Sequence, residues 1–140
     1  MTIYLDTSVL LRLVLGEKDG LAVEDLRRAD LLVSSELLAV ESRRTIDRLR
    51  VQGELSHDEA AAQLAIITDW LEAVDLVLLR PPILVRASEP LPTALGTLDA
   101  LHLATALVWR DRMNQPLTIA THDGALAQAA RAFDFGVLGA

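Results

Sequence analysis

The chain has 140 residues, of which 51% are hydrophobic and 4% are aromatic, and its formal net charge is −7. This hydrophobic content excludes a disordered acidic chain, and the length predicts one compact domain, residues 1–140, with an aliphatic core. The 20 acidic residues against 13 basic ones exclude a protein held to nucleic acid mainly by bulk positive charge. Because cysteine is absent, disulfides, thiolate metal sites and cysteine nucleophiles are excluded as well.

The first residues and the uncharged stretches bear on localisation. Residues 1–5 carry no basic segment and Asp6 follows at once, which is not typical of a signal peptide. No stretch without Asp, Glu, Lys or Arg exceeds ten residues, whereas a membrane helix needs about twenty. We therefore expect a cytoplasmic protein with no membrane partner.

Strands and helices alternate in the N-terminal half, as judged from apolar periodicity and capping residues. Ser34 and Ser35 resemble an N-cap for a long helix, and Ser56 with Glu59 forms a capping-box pattern at the start of the next one. The expected elements are, in order, strand Thr2–Leu5, helix Thr7–Leu15, helix Leu21–Ala29, strand Leu31–Val33, helix Glu36–Val51 and helix His57–Leu71.

The alternation continues in the C-terminal half. Pro81 and Pro82 should end a strand before a short helix, and Thr97 can cap a long helix after a proline-containing loop. The expected elements are strand Val74–Leu79, helix Ile83–Ser88, loop Glu89–Gly96, helix Thr97–Met113, strand Leu117–Ala120, helix His122–Phe133 and edge strand Val137–Leu138. This order predicts an α/β fold, a three-layer α/β/α sandwich with a central, mainly parallel sheet.

Acidic residues stand where such a fold binds ligands, outside the carboxyl ends of its strands. Asp6 follows the first strand and Asp123 follows the strand at Leu117–Ala120. Glu41 and Asp99 lie in helices among apolar residues, where an ionised acid is costly unless it is paired or binds a metal. If the four acids converge, a divalent cation would offset their repulsion, and oxygen ligands favour Mg²⁺ or Mn²⁺. Each acid alone can equally be a solvated residue or a helix cap.

Four blocks of sequence resemble PIN domains, especially the VapC-like ribonuclease toxins of type II toxin–antitoxin modules. They are Ile3-Tyr4-Leu5-Asp6-Thr7-Ser8, Ser34-Ser35-Glu36-Leu37 leading to Val40-Glu41, Leu98-Asp99-Ala100-Leu101-His102-Leu103-Ala104-Thr105-Ala106, and Thr121-His122-Asp123. The third block is fairly specific, whereas the opening block alone would be a weak signal. Together the blocks span nearly the whole chain, so the resemblance implies a PIN-like fold throughout.

The resemblance assigns the four acids to one catalytic and metal-binding pocket. Asp6 and Asp99 would be the more direct metal ligands, and Glu41 and Asp123 would act through water or on a second ion. The implied cofactor is Mg²⁺, with Mn²⁺ as a substitute. The implied activity is hydrolysis of RNA phosphodiester bonds by metal-activated water, which requires no side-chain nucleophile.

Small hydroxyl residues and partner proteins are also implied by the resemblance. Thr7, Ser8 and Thr121 match hydroxyl positions near the pocket, where they would bind water or a phosphate oxygen. For Thr7 and Ser8, capping of the first helical turn is an equally good interpretation. The family further implies a cognate antitoxin protein, which places a basic side chain in the acidic pocket, and a homodimer.

Arginines cluster on the helix that follows Glu41. Arg43 and Arg44, with Arg48 and Arg50 further along, are candidates for contacts with RNA phosphates. The alternative is a solvated helix face with intrahelical ion pairs to Glu41 or Asp47. A contact with a partner chain is a third possibility.

Two histidines neighbour the acidic blocks. His102, three residues after Asp99, is either a hydrogen-bond donor to the carboxylates or a structural residue. His122 beside Asp123 raises the alternative of a metal-free ribonuclease that uses two histidines as general acid and base. The roles of both histidines stay open from sequence alone.

Three other functions compete with the nuclease. An aspartyl-phosphate phosphatase needs a second Asp two residues after the first, where Ser8 stands here. A phosphoacceptor receiver domain needs a late lysine, and the only lysine is Lys18. The third alternative is a non-catalytic PIN-like scaffold that binds RNA or protein, against which the presence of all four acids argues.

Overall fold

A parallel sheet of five strands forms the centre of the molecule in the computed structural model, which describes residues 1–140. Every neighbouring pair of strands is parallel, and the strand order is β3-β2-β1-β4-β5. The strands are β1 (Thr2–Leu5), β2 (Leu31–Ser35), β3 (Asp75–Val77), β4 (Thr118–Ala120) and β5 (Gly136–Leu138). The predicted α/β class and the parallel sheet are confirmed.

Seven helices cover the two faces of this sheet and bury the apolar side chains of β1 on both sides. Ile3 and Leu5 pack with helices of one face, whereas Tyr4 packs with those of the other, as the alternation of a strand requires. The helices are α1 (Thr7–Val14), α2 (Val23–Leu26), α3 (Leu37–Val51), α4 (His57–Ala73), α5 (Pro81–Ser88), α6 (Thr97–Met113) and α7 (Gly124–Ala132). Helices α1 to α4 contribute to the first cluster, and α6 and α7 to the second.

The second helix is much shorter than predicted, because tertiary pairing competes with it. Helix α2 covers only Val23–Leu26 of the expected Leu21–Ala29. The chain leaves the helix after Leu26, and the Asp30 N–H then donates to the carbonyl of Met1, which starts the pairing of β2 with β1.

Ser34 and Ser35 belong to strand β2, and Glu36 is the N-cap of α3, so the prediction of the two serines as the N-cap is wrong. The Ser34 hydroxyl donates to the Leu5 carbonyl over 2.6 Å, which fixes β2 against the end of β1. The Ser35 side chain still accepts a hydrogen bond from the Leu37 N–H, and α3 begins at Leu37.

Helices α5 and α7 each start two residues away from the predicted position. Helix α5 begins at Pro81, since proline is well tolerated in the first turn, and β3 ends earlier than expected, at Val77. Gly96 rather than Thr97 is the N-cap of α6, and Asp123 is the N-cap of α7. The capping box of Ser56 at the start of α4 is confirmed.

The strand order creates a crevice at the carboxyl edge of the sheet. Strand β1 is at the centre of the sheet, with β2 and β3 on one side of it and β4 and β5 on the other. The junction of β1 and β4 is therefore the switch point of the topology, where open α/β sheets bind their ligands. No helix is both long and apolar enough to cross a membrane.

Candidate active site

Two of the predicted acids follow the strands at the switch point. Asp6 directly follows β1, and its backbone N–H donates to the Ala120 carbonyl at the end of β4 over 3.0 Å. Asp123 lies three residues beyond Ala120. The parallel pairing of Leu5 with Ala120 thus brings the two acid-bearing turns to one edge of the sheet.

Hydroxyl groups hold the carboxylate of Asp6, which is only 4% exposed. Its Oδ2 accepts hydrogen bonds from Ser8 Oγ at 2.6 Å and from Thr121 Oγ1 at 2.8 Å. Although Asp6 occupies the N-cap position of α1, its side chain makes no capping hydrogen bond. The structure therefore places Ser8 and Thr121 around Asp6, and the alternative of Ser8 as a helix cap is wrong.

The same two hydroxyls tie the β4–α7 turn to the start of α1. Thr121 Oγ1 accepts a hydrogen bond from the Asp123 N–H at 3.0 Å, and Ser8 Oγ accepts one from the His122 N–H at 2.9 Å. The turn that carries Asp123 and the carboxylate of Asp6 therefore share one hydrogen-bond network. A displacement of either hydroxyl would move both acids.

A buried chain of hydrogen bonds holds Glu41. Its Oε1 lies 2.5 Å from His102 Nε2 and accepts a hydrogen bond from Thr7 Oγ1 at 3.0 Å. The other nitrogen of His102, Nδ1, lies 2.7 Å from the hydroxyl of Tyr4. His102 is only 1% exposed, so it is a structural residue and a partner of a site carboxylate at once. The alternative of Thr7 as a cap is wrong as well, because its hydroxyl bonds to Glu41.

The contact of Glu41 with His102 favours the charged form of both groups. Burial acts to raise the pKa of Glu41, but the hydrogen bonds from His102 and Thr7 and the charge of His102 outweigh it and lower that pKa. Burial acts to lower the pKa of His102, but the hydrogen bond to Glu41 and the charges of Asp6, Glu41 and Asp99 raise it. Burial and the charge of Asp6 raise the pKa of Tyr4, so its hydroxyl stays protonated.

The negative charges of the other acids act on Asp99, which lies in the first turn of α6. Burial, followed by the negative charges of Asp123 and Asp6, raises its pKa to about 6 from the usual 3.8. Glu41 contributes in the same direction, while His102 opposes it. The other three acids, which come from three separate segments, are thus close enough to Asp99 to act on its ionisation.

Asp123 combines two roles that the sequence left open. Its Oδ1 accepts a hydrogen bond from the Leu126 N–H at 2.8 Å and so caps α7. Its charge also acts on Asp99. The capping interpretation is confirmed, and it leaves the second carboxylate oxygen without a protein partner.

The donor set fits a hard cation that binds through few protein ligands. No group of three histidine, aspartate or glutamate side chains is arranged to surround an ion directly. Mg²⁺ commonly uses one or two carboxylates and completes its octahedron with waters and substrate phosphates. The oxygens of Asp6 and Asp99, with Glu41 and Asp123 around them, suit such a water-rich ion better than a fully protein-bound one.

The arginines of α3 divide into paired and unpaired side chains. Arg44 and Arg50 both pair with Asp47, with closest distances of 3.0 and 2.9 Å. Arg43 is exposed and makes no ion pair. The prediction of pairs to Asp47 is confirmed, whereas Glu41 pairs with His102 instead of an arginine.

The structure does not favour the two-histidine alternative, because the ring nitrogens of both histidines are already bonded. His122 Nε2 accepts a hydrogen bond from the Leu21 N–H at 3.2 Å, and its Nδ1 lies 2.9 Å from the Gly139 carbonyl. His102 is buried between Tyr4 and Glu41. Neither ring has a nitrogen free to move a proton to or from RNA.

Tyr4 is the contributor that the sequence analysis missed. Its hydroxyl lies 2.7 Å from His102 Nδ1, and its ring meets the imidazole edge to face. The signal was the two-residue period of a strand, which points Tyr4 to the same side of the sheet as the residue at position 6.

The comparisons with known proteins agree with this geometry. The family model of the PIN domain matches residues 3–132, a range that contains all four acids. No curated protein gives a match. PIN domains are generally nucleases that bind RNA and typically use divalent metals. Because this family model covers most of the chain, which also has the expected parallel α/β sheet, the chain belongs to the PIN domain family.

Proposed function

We propose that the protein is a Mg²⁺-dependent endoribonuclease and the toxin component of a type II toxin–antitoxin system. The observation that carries the proposal is the parallel pairing of β1 with β4, which brings the turns that carry Asp6 and Asp123 to one edge of the sheet in a chain of the PIN domain family. Burial and the negative charges of Asp123, Asp6 and Glu41 also raise the pKa of Asp99, and a cation or a basic group bound nearby would relieve this repulsion. An oxygen-lined acidic crevice at a sheet switch point is a suitable place for such a cation.

Each acid has a distinct part in the proposed reaction. Asp6 and Asp99 would hold the ion, for which Mn²⁺ could substitute, and Glu41 and Asp123 would act through its waters or on a second ion. Bound Mg²⁺ supplies a more acidic water and stabilises charge on the phosphate oxygens. Ser8 and Thr121 hold Asp6 in place, and Thr7 and His102 do the same for Glu41.

RNA binding in this acidic chain needs local positive charge near the crevice. Arg43 follows Glu41 by two residues, is exposed and has no ion-pair partner, so it suits a contact with a phosphate. Arg44 is also exposed, but it must first give up its pair with Asp47. We assign Arg43 the larger contribution to RNA affinity.

The partner proteins in this proposal rest on the resemblance to VapC-like toxins. An anionic pocket accepts an arginine or lysine of an antitoxin as readily as it accepts a cation, because either relieves the repulsion at Asp99. A cognate antitoxin, a homodimer and a cytoplasmic location complete the proposal. Co-expression with the protein encoded by a neighbouring reading frame tests the antitoxin, and sedimentation tests the dimer.

Mapping of 5′ ends in cellular RNA after brief induction of the chain tests the activity. We expect new ends at defined positions, and we expect them to be absent when Asp6→Ala is induced to the same protein level. If the two proteins produce the same ends, the assignment of Asp6 to the site is wrong. If neither produces new ends, the nuclease proposal fails.

A non-catalytic scaffold is the second candidate, and one observation favours it. Glu41 is already paired with His102, and no three acidic or histidine groups are arranged around a common point. Calorimetric titration with Mg²⁺ separates the two candidates. A nuclease should bind Mg²⁺ and lose that binding in Asp99→Asn, whereas a scaffold should show no binding in either protein.

A further inference from the structure

The side chain of His122 joins two segments of the chain that are distant from each other in the sequence. Its Nε2 accepts a hydrogen bond from the Leu21 N–H at 3.2 Å, in the loop that follows α1. Its Nδ1 lies 2.9 Å from the carbonyl oxygen of Gly139, the residue after β5. These partners need an acceptor and a donor on one ring, which an imidazole with its proton on Nδ1 supplies. The ring therefore ties the β4–α7 turn to both segments.

Two glycines leave room for this ring. A Cβ added to Gly20 would lie 2.7 Å from His122 Nε2, and one added to Gly139 would lie 3.0 Å from the ring carbon Cε1. Gly20 has no positive φ, so an alanine there would meet the ring and not a backbone strain. The ring is thus packed closely between the two segments as well as hydrogen-bonded to them.

The backbone of the same residue belongs to the hydrogen-bond network around Asp6. The His122 N–H donates to Ser8 Oγ at 2.9 Å, and this hydroxyl donates to Asp6 Oδ2 at 2.6 Å. The next residue in the chain is Asp123, another of the four acids. Because the ring and the peptide N–H belong to one residue, a ring displaced from its partners would move that N–H away from Ser8. The ring therefore acts on Asp6 through a single hydroxyl.

We propose that His122 is a positioning residue of the metal site, which makes the Mg²⁺ affinity depend on the α1–α2 loop and on the segment after β5. Its imidazole holds the β4–α7 turn where the backbone N–H orients Ser8 towards Asp6. Groups that hold a metal ligand in place are typically worth about 10- to 100-fold in metal affinity. Since His122 acts through Ser8, the lower end of this range applies. The inference rests on the proposed function and adds to it a determinant of Mg²⁺ affinity outside the four acids.

Amide hydrogen exchange tests the positioning role without any metal. The change His122→Ala removes the ring but keeps the backbone N–H of residue 122. We expect the amides of residues 122 and 123 to exchange about fivefold faster in this variant, because their bonds to Ser8 and Thr121 open more often. His57→Ala, the same change at an exposed residue of α4, is the matched control and should leave both rates unchanged. Equal rates in His122→Ala and the wild type would overturn the proposal.

Calorimetric titration with Mg²⁺ measures the effect on the site itself. We expect about a 10-fold weaker affinity in His122→Ala and no change in His57→Ala. His122→Gln restores an acceptor for the Leu21 N–H, and His122→Asn restores a donor for the Gly139 carbonyl, so each should recover part of the affinity. Wild-type affinity in His122→Ala, or no recovery in either conservative variant, would overturn the proposal.

Gly20→Ala keeps the proposal testable if His122→Ala fails to fold. Its added Cβ presses on the ring from the side of the loop. We expect it to weaken Mg²⁺ binding by at least about threefold, which corresponds to the lower limit of coupling between residues in contact. In the background of His122→Asn, whose shorter side chain leaves the space at Nε2 empty, the same change should have no further effect. Losses that simply add in the double variant would contradict the role of the ring.

The results separate this inference from the proposed function. Faster amide exchange in His122→Ala, together with no Mg²⁺ binding by the wild type, would sink the metal-dependent nuclease and keep His122 as the residue that holds Ser8 and Asp6 in place. Mg²⁺-dependent cleavage with equal Mg²⁺ affinity in the wild type and all His122 variants would keep the nuclease and overturn the role of His122.

Discussion

Glu41 Oε1 and His102 Nε2 lie 2.5 Å apart, although 61 residues separate them in the sequence. This contact holds the Glu41 carboxylate in place, and it raises the pKa of its buried partner His102. Through Nδ1, His102 also bonds Tyr4 of the central strand. The acidic site is thereby anchored to the sheet itself.

Replacing His102 by Gln should destabilise the fold, because Glu41 would keep its partly buried charge without a cationic partner. We expect a loss of about 2 kcal/mol in the free energy of unfolding at pH 6, measured by urea denaturation. Glu41→Gln is the matched change on the other side of the pair. A loss below about 0.5 kcal/mol in His102→Gln would show that the pair contributes little.

The pH dependence of this pair has a defined sign. The pKa of Glu41 is lowered, so its contribution is present above its usual value of 4.5 and is lost as the pH falls through the folded-state pKa. The pKa of His102 is raised, so its contribution is complete below its usual value of 6.5 and is lost as the pH rises through the folded-state pKa. We expect the stability difference between wild type and His102→Gln to be largest between pH 4.5 and 6.5. A difference that keeps growing at alkaline pH would contradict this.

Asp99→Asn should stabilise the metal-free protein at pH 7. Since the pKa of Asp99 is raised to about 6, the folded state binds the proton more tightly than the unfolded state does, and stability falls as the pH rises from 3.8 to about 6. Allowing for solvent screening of this half-buried group, we expect a gain of about 1 kcal/mol at pH 7. Denaturation at pH 4, where the gain should vanish, is the internal control. With saturating Mg²⁺ the order should reverse, because only the wild type gains stability from the ion.

Thr121→Val should weaken the site without removing an acid. It deletes one of the two hydroxyl bonds to Asp6 and leaves the Asp123 N–H without its acceptor. Supporting hydrogen bonds of this kind are typically worth about 10- to 100-fold in metal affinity or activity. Thr118→Val is the control, because Thr118 begins β4, three residues before Thr121, and its side chain makes no hydrogen bond. Mg²⁺ affinity by calorimetry should fall in the first variant only, and equal affinities would refute the role of Thr121.

Gly139→Ala should disturb the β4–α7 turn, which is distant from Gly139 in the sequence but in contact with it in space. Gly139 has φ +94°, and an added Cβ would lie 2.7 Å from the Thr121 carbonyl oxygen and 3.0 Å from the His122 ring. Gly53 has a similar φ of +79° but open space around it, so Gly53→Ala measures the backbone strain alone. We expect Gly139→Ala to cost about 1 to 2 kcal/mol more than Gly53→Ala in thermal denaturation. Equal costs would show that the turn adjusts freely.

The sequence predicted much of the fold because its signals are local. The strand at Thr2–Leu5, the first three residues of β2 at Leu31–Val33 and the capping box at Ser56 follow from apolar runs and capping chemistry within a few residues. The end of helix α2 could not be predicted, since it depends on the pairing of Asp30 with Met1. Ser34 joined the strand for the same reason, because its hydroxyl finds the Leu5 carbonyl of a neighbouring strand.

In the candidate site, too, some features could be predicted from the sequence and others could not. The sequence predicts that Asp6 and Asp123 each follow a strand, and the structure places both residues at the switch point. The hydrogen-bond partners of Glu41 could not be predicted, because His102 contacts it from another helix. The division of arginines into the paired Arg44 and the unpaired Arg43 also depends on side-chain geometry.

Cleavage of purified RNA, followed against Mg²⁺ concentration for wild type, Asp6→Asn and Asp99→Asn, tests the central claim most directly. We expect Mg²⁺-dependent cleavage by the wild type, its loss on addition of EDTA, and at least about a 100-fold lower rate in each variant. Cleavage that survives EDTA, or rates in both variants equal to the wild-type rate, would contradict a metal-dependent nuclease built on these carboxylates.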